Sequence, residues 1–435
     1  MNQLSIENIK TELADTAAYK RLASFFDEGV FTSIAPFAQS SGEPVEAAAG
    51  YGEVCGCPVY AFAQNSDICS GAMSKAQAAV IKKVYELALK TGTPIVGMYD
   101  SFGARVSEGI DMLTAYGELL NLSGKLAGVV PQIALVTGPC EGTAALLAST
   151  ADFVIMSEGG SFTISTSGAE AGAQINAKSG TVAAAYKDES EALDAVKNLI
   201  SMLPQNNLSD AYLAEDMPES DDGSVISAFA DGGSFVELYA EYAKNVKIGF
   251  ARVNGGTVGV VQSEGKLLDV GDCEKWIKLV RFCDAFSIPV ITLAGAEGFG
   301  SVKEAARLTA AYAEATTVKL TVITGEVYGA FYMAVAGSGA SADMTIALDG
   351  ACVSPVNPEA GLVILYPERL KTDKAGREQA LEDFKKNECS ALRAAQAGYI
   401  DSVAERGDLR KMLAGALDML SGKREATLPK KHSTL

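Results

Sequence analysis

Two glycine-containing turns carry the groups most able to do chemistry, and they would do it with backbone amides. Thr137-Gly-Pro-Cys-Glu-Gly-Thr-Ala144 and Thr324-Gly-Glu-Val-Tyr-Gly-Ala-Phe-Tyr332 each follow an apolar, strand-like run and precede an Ala-rich helical segment. At a helix start the first N–H groups have no intrahelical acceptor, and the aligned peptide dipoles favour negative charge there. Such donors can hold a developing oxyanion and lower a barrier by a few kcal/mol. Sterics alone also call for glycine at a tight strand-to-helix turn, so either turn taken singly is open to that plainer reading. A third turn, Ser101-Phe-Gly-Ala-Arg105, places a cation beside glycine after the strand ending at Tyr99. That pattern suits a phosphate or carboxylate contact, or equally a solvated arginine at a strand end. Asp100, Glu108, Glu326 and Glu359 are too widely spaced to imply a carboxylate pair. Tyr328 and Tyr332, four residues apart, fit core packing.

Side-chain bases are scarce. The 435 residues contain one histidine, His432. This argues against a Ser-His-Asp hydrolase, a His-ligated metal centre and a His general base. The chemistry must then use backbone dipoles, carboxylates, Tyr, Lys, thiols or a borrowed group. No phosphate-binding Gly-Lys-Ser/Thr loop and no dinucleotide fingerprint occurs. Lys+Arg 36 against Asp+Glu 54 gives a net charge of −18, a field that repels nucleic acid and anionic membrane surfaces. The eight cysteines are scattered among apolar residues, and Cys55-Gly-Cys57 is the only tight pair. Reduced, buried thiols and a cytoplasmic location are expected, with no metal. The N-terminus lacks a signal-peptide pattern, and the most apolar stretch, Lys125 to Met156, is interrupted by polar residues and proline.

The elements that must position these turns come in two copies. Phe26-Asp-Glu-Gly-Val-Phe31 recurs as Ala230-Asp-Gly-Gly-Ser-Phe235, and Gly50 to Val59 as Gly249 to Val258. Thr93-Pro-Ile-Val96 recurs as Ile288-Pro-Val-Ile291, Leu135-Val-Thr-Gly138 as Val322-Ile-Thr-Gly325, and Ala151-Asp-Phe153 as Ala342-Asp-Met344. The order is kept throughout, which points to a duplicated domain. Strand-like runs at Val59–Ala63, Pro94–Tyr99 and Gln132–Thr137 match runs at Val258–Gln262, Pro289–Leu293 and Lys319–Thr324. Between them, Ser74 and Gln77 form a capping-box pattern before an apolar stripe (Val80, Val84, Leu87, Ala88) closed by Gly92. Asp272 is the expected cap of a helix bearing Trp276, Leu279, Val280 and Cys283. Alternating strands and helices predict an α/β layered fold. The acidic, turn-rich stretch from Pro204 to Ser224 is the expected linker between domains at 1–203 and 225–435.

Taken together, these motifs resemble the carboxyltransferase subunit of biotin-dependent acyl-CoA carboxylases and the related acyl-CoA decarboxylases. The resemblance runs from about Tyr19 to the C-terminus. It rests on Gly50-Tyr-Gly52, Val59-Tyr-Ala-Phe-Ala-Gln64, Ser101-x-Gly-Ala-Arg105 with Glu108-Gly109, Pro131-Gln132, Gly138-Pro-Cys140 and Leu203-Pro-Gln-Asn-Asn207. It continues through Arg281-Phe-Cys-Asp-Ala-Phe286-Ser-Ile-Pro289, Ala311-Tyr-Ala-Glu-Ala315, Val322-Ile-Thr324, Tyr328-Gly329, Gly398-Tyr-Ile-Asp401 and Pro429-Lys-Lys-His432.

The resemblance implies tandem crotonase-like ββα superhelix domains and a ring of dimers. It places the site between the N-domain of one subunit and the C-domain of another. It assigns the thioester oxygen of an acyl-CoA to the backbone N–H groups of Gly142 and Thr143. The ureido oxygen of biotin, borne on a separate carrier protein, goes to those of Ala330 and Phe331. Substrate contacts are implied for Ser101, Gly103, Ala104, Arg105, Gly138, Tyr328, Gly329 and Met333, with Arg105 a candidate for CoA phosphates. In this chemistry biotin itself is the base, which suits a chain with so little histidine. A biotin carboxylase or a decarboxylase membrane subunit is the implied further partner. Transfer to the acyl-CoA, the reverse decarboxylation, and a non-catalytic scaffold are the three readings. The third is motivated by departures from the family pattern: Phe102, Glu141, Thr143, Phe331 and the Gly295-Ala-Glu-Gly-Phe299 segment. Thr143 and Phe331 would add bulk beside the two turns.

Overall fold

One aspartate fixes the first hairpin of each half in the same way. Asp27 accepts from the amides of Cys55 (3.0 Å) and Gly56 (2.9 Å), and Asp231 accepts from those of Asn254 (3.0 Å) and Gly255 (2.8 Å). Both turn pairs have positive φ, at 51° and 73° and at 50° and 77°, as a two-residue hairpin with primed geometry requires. The structure, a computed structural model, describes residues 6–40, 42–164, 171–218, 220, 222–265, 267–337 and 342–425. His432 and the Pro429-Lys-Lys-His432 motif lie outside them.

The first unit, Met1–Tyr212, is built on seven main strands. They are β1 (Phe31–Ser33), β2 (Ala47–Val54), β3 (Cys57–Gln64), β4 (Ile95–Ser101), β5 (Gln132–Glu141), β6 (Phe153–Ser157) and β7 (Ala184–Tyr186). They lie in that order, antiparallel from β1 to β3 and parallel from β3 to β7. Helices α1 (Lys75–Thr91), α2 (Asp111–Leu126) and α3 (Thr143–Ser149) make the crossovers. The second unit, Leu213–Leu435, repeats the plan. Its strands β8 (Val236–Leu238), β9 (Val246–Val253), β10 (Gly256–Ser263), β11 (Val290–Ala294), β12 (Lys319–Ile323), β13 (Met344–Leu348) and β14 (Ser402–Ala404) have the same order and the same directions. Helices α4 (Val270–Ala285), α5 (Val302–Glu314) and α6 (Gly329–Val335) connect them, and α7 (Lys374–Glu388) follows. These are the tandem crotonase-like halves that the resemblance implies.

The repeated residues do repeated work. A methyl group at Gly50 would meet the Phe31 ring at 2.6 Å, and one at Gly249 would meet the Phe235 ring at 2.9 Å. Each glycine on the second strand therefore leaves room for the phenylalanine of the first. Asp152 and Asp343 each accept from the first amide of a central strand, Gln132 and Lys319, both at 2.8 Å. The hydroxyls of Thr137 and Thr324 cross to the neighbouring strand, donating to Tyr99 O (3.4 Å) and Ala294 O (3.3 Å).

Local signals place the helices closely. Ser74 caps α1 by accepting from the Gln77 amide, and Gly92 ends it in the left-handed region at φ 65°. The Gln77 side chain does not close the box; it donates to Glu46 O at 2.6 Å. The cap of α4 is Asp269 rather than Asp272, because the two carboxylates exchange bonds with each other's amides (2.9 and 3.0 Å). Asp272 is the third-position member of that capping box and is held further by Asn245. The stretch 204–224 carries no helix or strand among its described residues, yet it is docked. Asn206 Nδ2 donates to Gly92 O and the Asn207 amide to Val129 O, within the first unit. Beyond Tyr212, the Ala214 amide donates to Gly255 O, within the second. Among the described residues no helix is long and apolar enough to cross a membrane. The cysteines are free thiols, Cys55 and Cys69 exposed and the other six buried.

Candidate functional site

In the first unit β5 runs past its sheet neighbours, and its last residues pair with the short strand Ser161–Thr163, Glu141 opposite Thr163. Gly142 follows at φ 57°, ψ −122°, a backbone conformation open to glycine alone. An added Cβ would meet nothing within 4 Å, so glycine is needed here for its dihedrals and not for space. The Gly142 amide donates to Thr163 O at 2.6 Å, while the Leu146 amide closes the first turn of α3 on Gly142 O. Of the two donors assigned here from sequence, Gly142's is therefore engaged within the turn. That of Thr143 belongs to the opening turn of α3, whose amides have no intrahelical acceptor.

The second unit repeats this construction. Glu326–Tyr328 pairs with Cys352–Ser354, Tyr328 opposite Ser354, and Gly329 follows at φ 55° to begin α6. The register thus matches Gly142 to Gly329 and Thr143 to Ala330. Ala330 is exposed. Phe331 is fully buried, its ring 6.1 Å from Trp276 and 5.6 Å from Phe299, edge-on to both. The phenylalanine that looks obstructive in sequence is core, and its bulk does not stand in front of the turn. Tyr328 and Tyr332 are not core residues. The Tyr328 hydroxyl accepts from Asn357 at 3.2 Å, and that of Tyr332 donates to Tyr399 O at 2.5 Å. Met333 is 56% exposed on the next turn of the helix.

Behind the first turn stands an ion-pair network with little sequence signal. A methyl at Gly138 would lie 2.2 Å from Asp100 Oδ1, so this glycine exists to admit the Asp100 carboxylate. Asp100 is buried and accepts from Arg21 (3.0 Å) and Ser66 (2.7 Å), and Arg21 also grips Glu189 through two bonds (2.7 and 3.2 Å). Partners 79 and 168 residues apart leave no pattern to read in a single chain. In the second unit the position of Asp100 is Gly295. There a cavity of about 340 Å³ opens at the strand ends, lined by Ser263, Gly295, Thr324, Gly325 and Glu326 among others.

The third turn is braced rather than open. The Ser101 hydroxyl donates to Gly71 O (2.8 Å) and accepts from the Gly103 amide (3.1 Å). Gly103 has φ 90°, and Ala104 bridges to Met73. The Arg105 guanidinium faces inward, paired with buried Glu46 and donating to Ser40 Oγ at 2.9 Å. The other candidate acids are dispersed. Glu108 accepts from the Lys75 amide at the start of α1, Glu326 pairs with Lys385 (2.7 Å), and Glu359 sits in the first turn of the helix Pro358–Leu365. Among the described residues no group of three or more His, Cys, Asp or Glu could hold a metal.

Comparison with known proteins agrees with this architecture. Residues 14–435 match the carboxyl transferase domain family. The chain is 32% identical to methylmalonyl-CoA decarboxylase subunit alpha of Propionigenium modestum, covering 96% of this chain and 92% of that protein. It is 34% identical to the propionyl-CoA carboxylase beta chain of Saccharopolyspora erythraea, covering 96% and 90%. Among solved structures, transcarboxylase 12S, a hexamer with hydrolysed methylmalonyl-coenzyme A bound, superposes with a TM-score of 0.87 at 30% identity, covering 98% of this chain and 94% of that one. With the duplicated sheet, the paired glycine turns and these matches, the chain belongs to the carboxyl transferase domain family.

Proposed function

We propose that this enzyme transfers a carboxyl group between biotin on a separate carrier protein and the α-carbon of a short acyl-CoA. The observation that carries the reading is the pair of equivalent turns at Gly142 and Gly329, within a family whose relatives act on methylmalonyl-CoA and propionyl-CoA. When bound, biotin would supply the carboxyl group and a basic ureido oxygen.

The chain's own part is electrostatic. Removing or adding a carboxyl group at the α-carbon puts negative charge on the thioester oxygen, which the amides opening α3, from Thr143 onward, would receive. Gly142, anchored to Thr163 O, fixes the direction of those donors. The amides of Ala330 and Phe331 would donate to the ureido oxygen in the same manner. The residues fit a neutral, flat acceptor there: Ala330 is exposed and small, and the Phe331 ring is withdrawn into the core. Neither role needs a histidine. Arg105, already paired with Glu46, supports the third turn in this reading, with Ser101, Gly103 and Ala104 shaping the backbone around it. In this reading Tyr328 and Met333 lie beside the second turn, while Gly138, itself buried, admits the Asp100 carboxylate behind the first.

The decarboxylating direction has specific support in the relative named as a decarboxylase subunit. In it the chain would work beside a membrane subunit, and in the carboxylating direction beside a biotin carboxylase. Either way we place it in the cytoplasm as a homo-oligomer, in keeping with its free, mostly buried thiols. The test is loss of the carboxyl group from malonyl-, methylmalonyl- or glutaconyl-CoA in the presence of free biotin. Biotin-dependent turnover of one ester supports the reading. No turnover and no binding of any CoA ester would refute it, and would favour the scaffold.

A further inference from the structure

The strand that backs the second turn carries a cysteine against another cysteine. Cys352 begins the strand Cys352–Ser354, which pairs residue for residue with Glu326–Tyr328 immediately before Gly329. On its other side Cys352 bridges antiparallel to Ser390. The Val353 amide donates to Cys389 O at 2.7 Å and the Ala391 amide to Ala351 O at 3.0 Å. Cys389 caps the C-terminus of α7. The two side chains share one small apolar cluster with Leu362, Ala380 and Phe384. The neighbouring Cys352 holds the Cys389 thiol below its ordinary value, at about 7. Backbones tied this closely put the two sulfurs within reach of a disulfide after a small movement.

Access comes from the weakness of the cover. Helix α7 has fifteen residues, of which Ala380 and Phe384 are buried, and the Lys385–Glu326 ion pair links it to the strand before the turn. Few buried anchors mean local opening at low cost.

We propose that Cys352 and Cys389 form an oxidisable dithiol that controls the geometry of the Gly329 turn. In the forward step the Cys389 thiolate attacks one sulfur of a low-molecular-weight disulfide, breaking its S–S bond and releasing one thiolate. The Cys352 sulfur, giving up its proton, then attacks the Cys389 sulfur of the mixed disulfide and releases the second. Two protein thiols are oxidised by two electrons, the small disulfide is reduced, and the two protons end on the released thiols. Forming the bond draws the two sulfurs to about 2 Å. The strand Cys352–Ser354 moves with them, and through its ladder so does Glu326–Tyr328. A turn displaced by a fraction of an ångström to an ångström loses about tenfold or more in rate.

The effect on turnover rests on the function proposed above; the disulfide and the movement do not. The test incubates the full chain with excess oxidised glutathione, maps the cross-linked peptides by mass, and measures amide exchange over residues 326–337. The expected result is a Cys352–Cys389 cross-link two hydrogens lighter, altered exchange in that segment, and turnover that falls about tenfold and returns with dithiothreitol. C389S and C352A, each checked by thermal melting, should be insensitive in exchange and in turnover. Glutathionylation without the cross-link, a different pairing, or a cross-link with unchanged exchange would overturn the proposal. Altered exchange in a protein that shows no carboxyl transfer would instead count against the function and leave the dithiol standing.

Discussion

Gly142 and Gly329, at φ 57° and 55°, stand at equivalent points of two units whose seven main strands share one order, each after a strand end paired with a three-residue strand and at the start of a seven-residue helix. A positive-φ glycine at the same point of two copies of one domain is the observation on which the proposed site rests. Sterics explains either alone; it does not explain why both lead into helix starts, whose first amides have no intrahelical acceptor.

The first prediction follows from those dihedrals. Gly142→Val and Gly329→Val each force an L-residue into a region costing about 1–3 kcal/mol, so the turn will relax and its amides will swing. Thermal melting should show a modest loss in each. Biotin-dependent transfer should fall by about a hundredfold, the scale of losing an oxyanion donor. A valine variant with full activity would remove the turn from the mechanism.

Gly138 and Asp100 give the second. Gly138→Ala drives a methyl into the Asp100 carboxylate, and Arg21→Met leaves that carboxylate buried without its cation. Breaking a buried pair from one side costs about 3–5 kcal/mol. Arg21→Met should show that loss in denaturant titration, and the double variant with Asp100→Asn should recover part of it.

Phe331 supplies the third. Its side chain is core, so Phe331→Ala should destabilise by about 3–5 kcal/mol through the cavity beside Trp276 and Phe299. Phe331→Leu, which keeps the amide and most of the volume, should retain carboxyl transfer. Loss of transfer in a well-folded leucine variant would mean that the ring itself contributes to the site.

The fourth concerns alkaline pH. Burial pushes the thiols of Cys140, Cys273 and Cys283 up, that of Cys273 to about 12. Unfolded thiols ionise near about 8.5 while these stay protonated, so the unfolded state binds fewer protons and stability falls as pH rises through that value. Burial lowers Lys275 to about 8 and lowers Lys319 as well, and these act with the opposite sign, but they are two groups against the three thiols. Melting temperature should therefore decline above about pH 8.5, and Cys283→Ser should flatten the decline.

Much of this was legible in sequence because duplication writes each structural rule twice. Asp27 and Asp231, Gly50 and Gly249, and Asp152 and Asp343 recur because hairpin amides, a phenylalanine ring and a strand's first amide each demand one residue type. What stayed hidden was set by long-range packing. The orientation of Phe331 depends on Trp276 and Phe299, and the inward turn of Arg105 depends on Glu46. The Asp269 cap was missed because Asp272, three residues on, fits the same pattern; only the reciprocal bonds distinguish them.

The most direct measurement follows a labelled carboxyl group from methylmalonyl-CoA to a second short acyl-CoA with free biotin present or withheld. The account predicts transfer that requires biotin, persists in His432→Ala, and collapses in Gly142→Val and Gly329→Val. Transfer independent of biotin, or lost with His432, would contradict it.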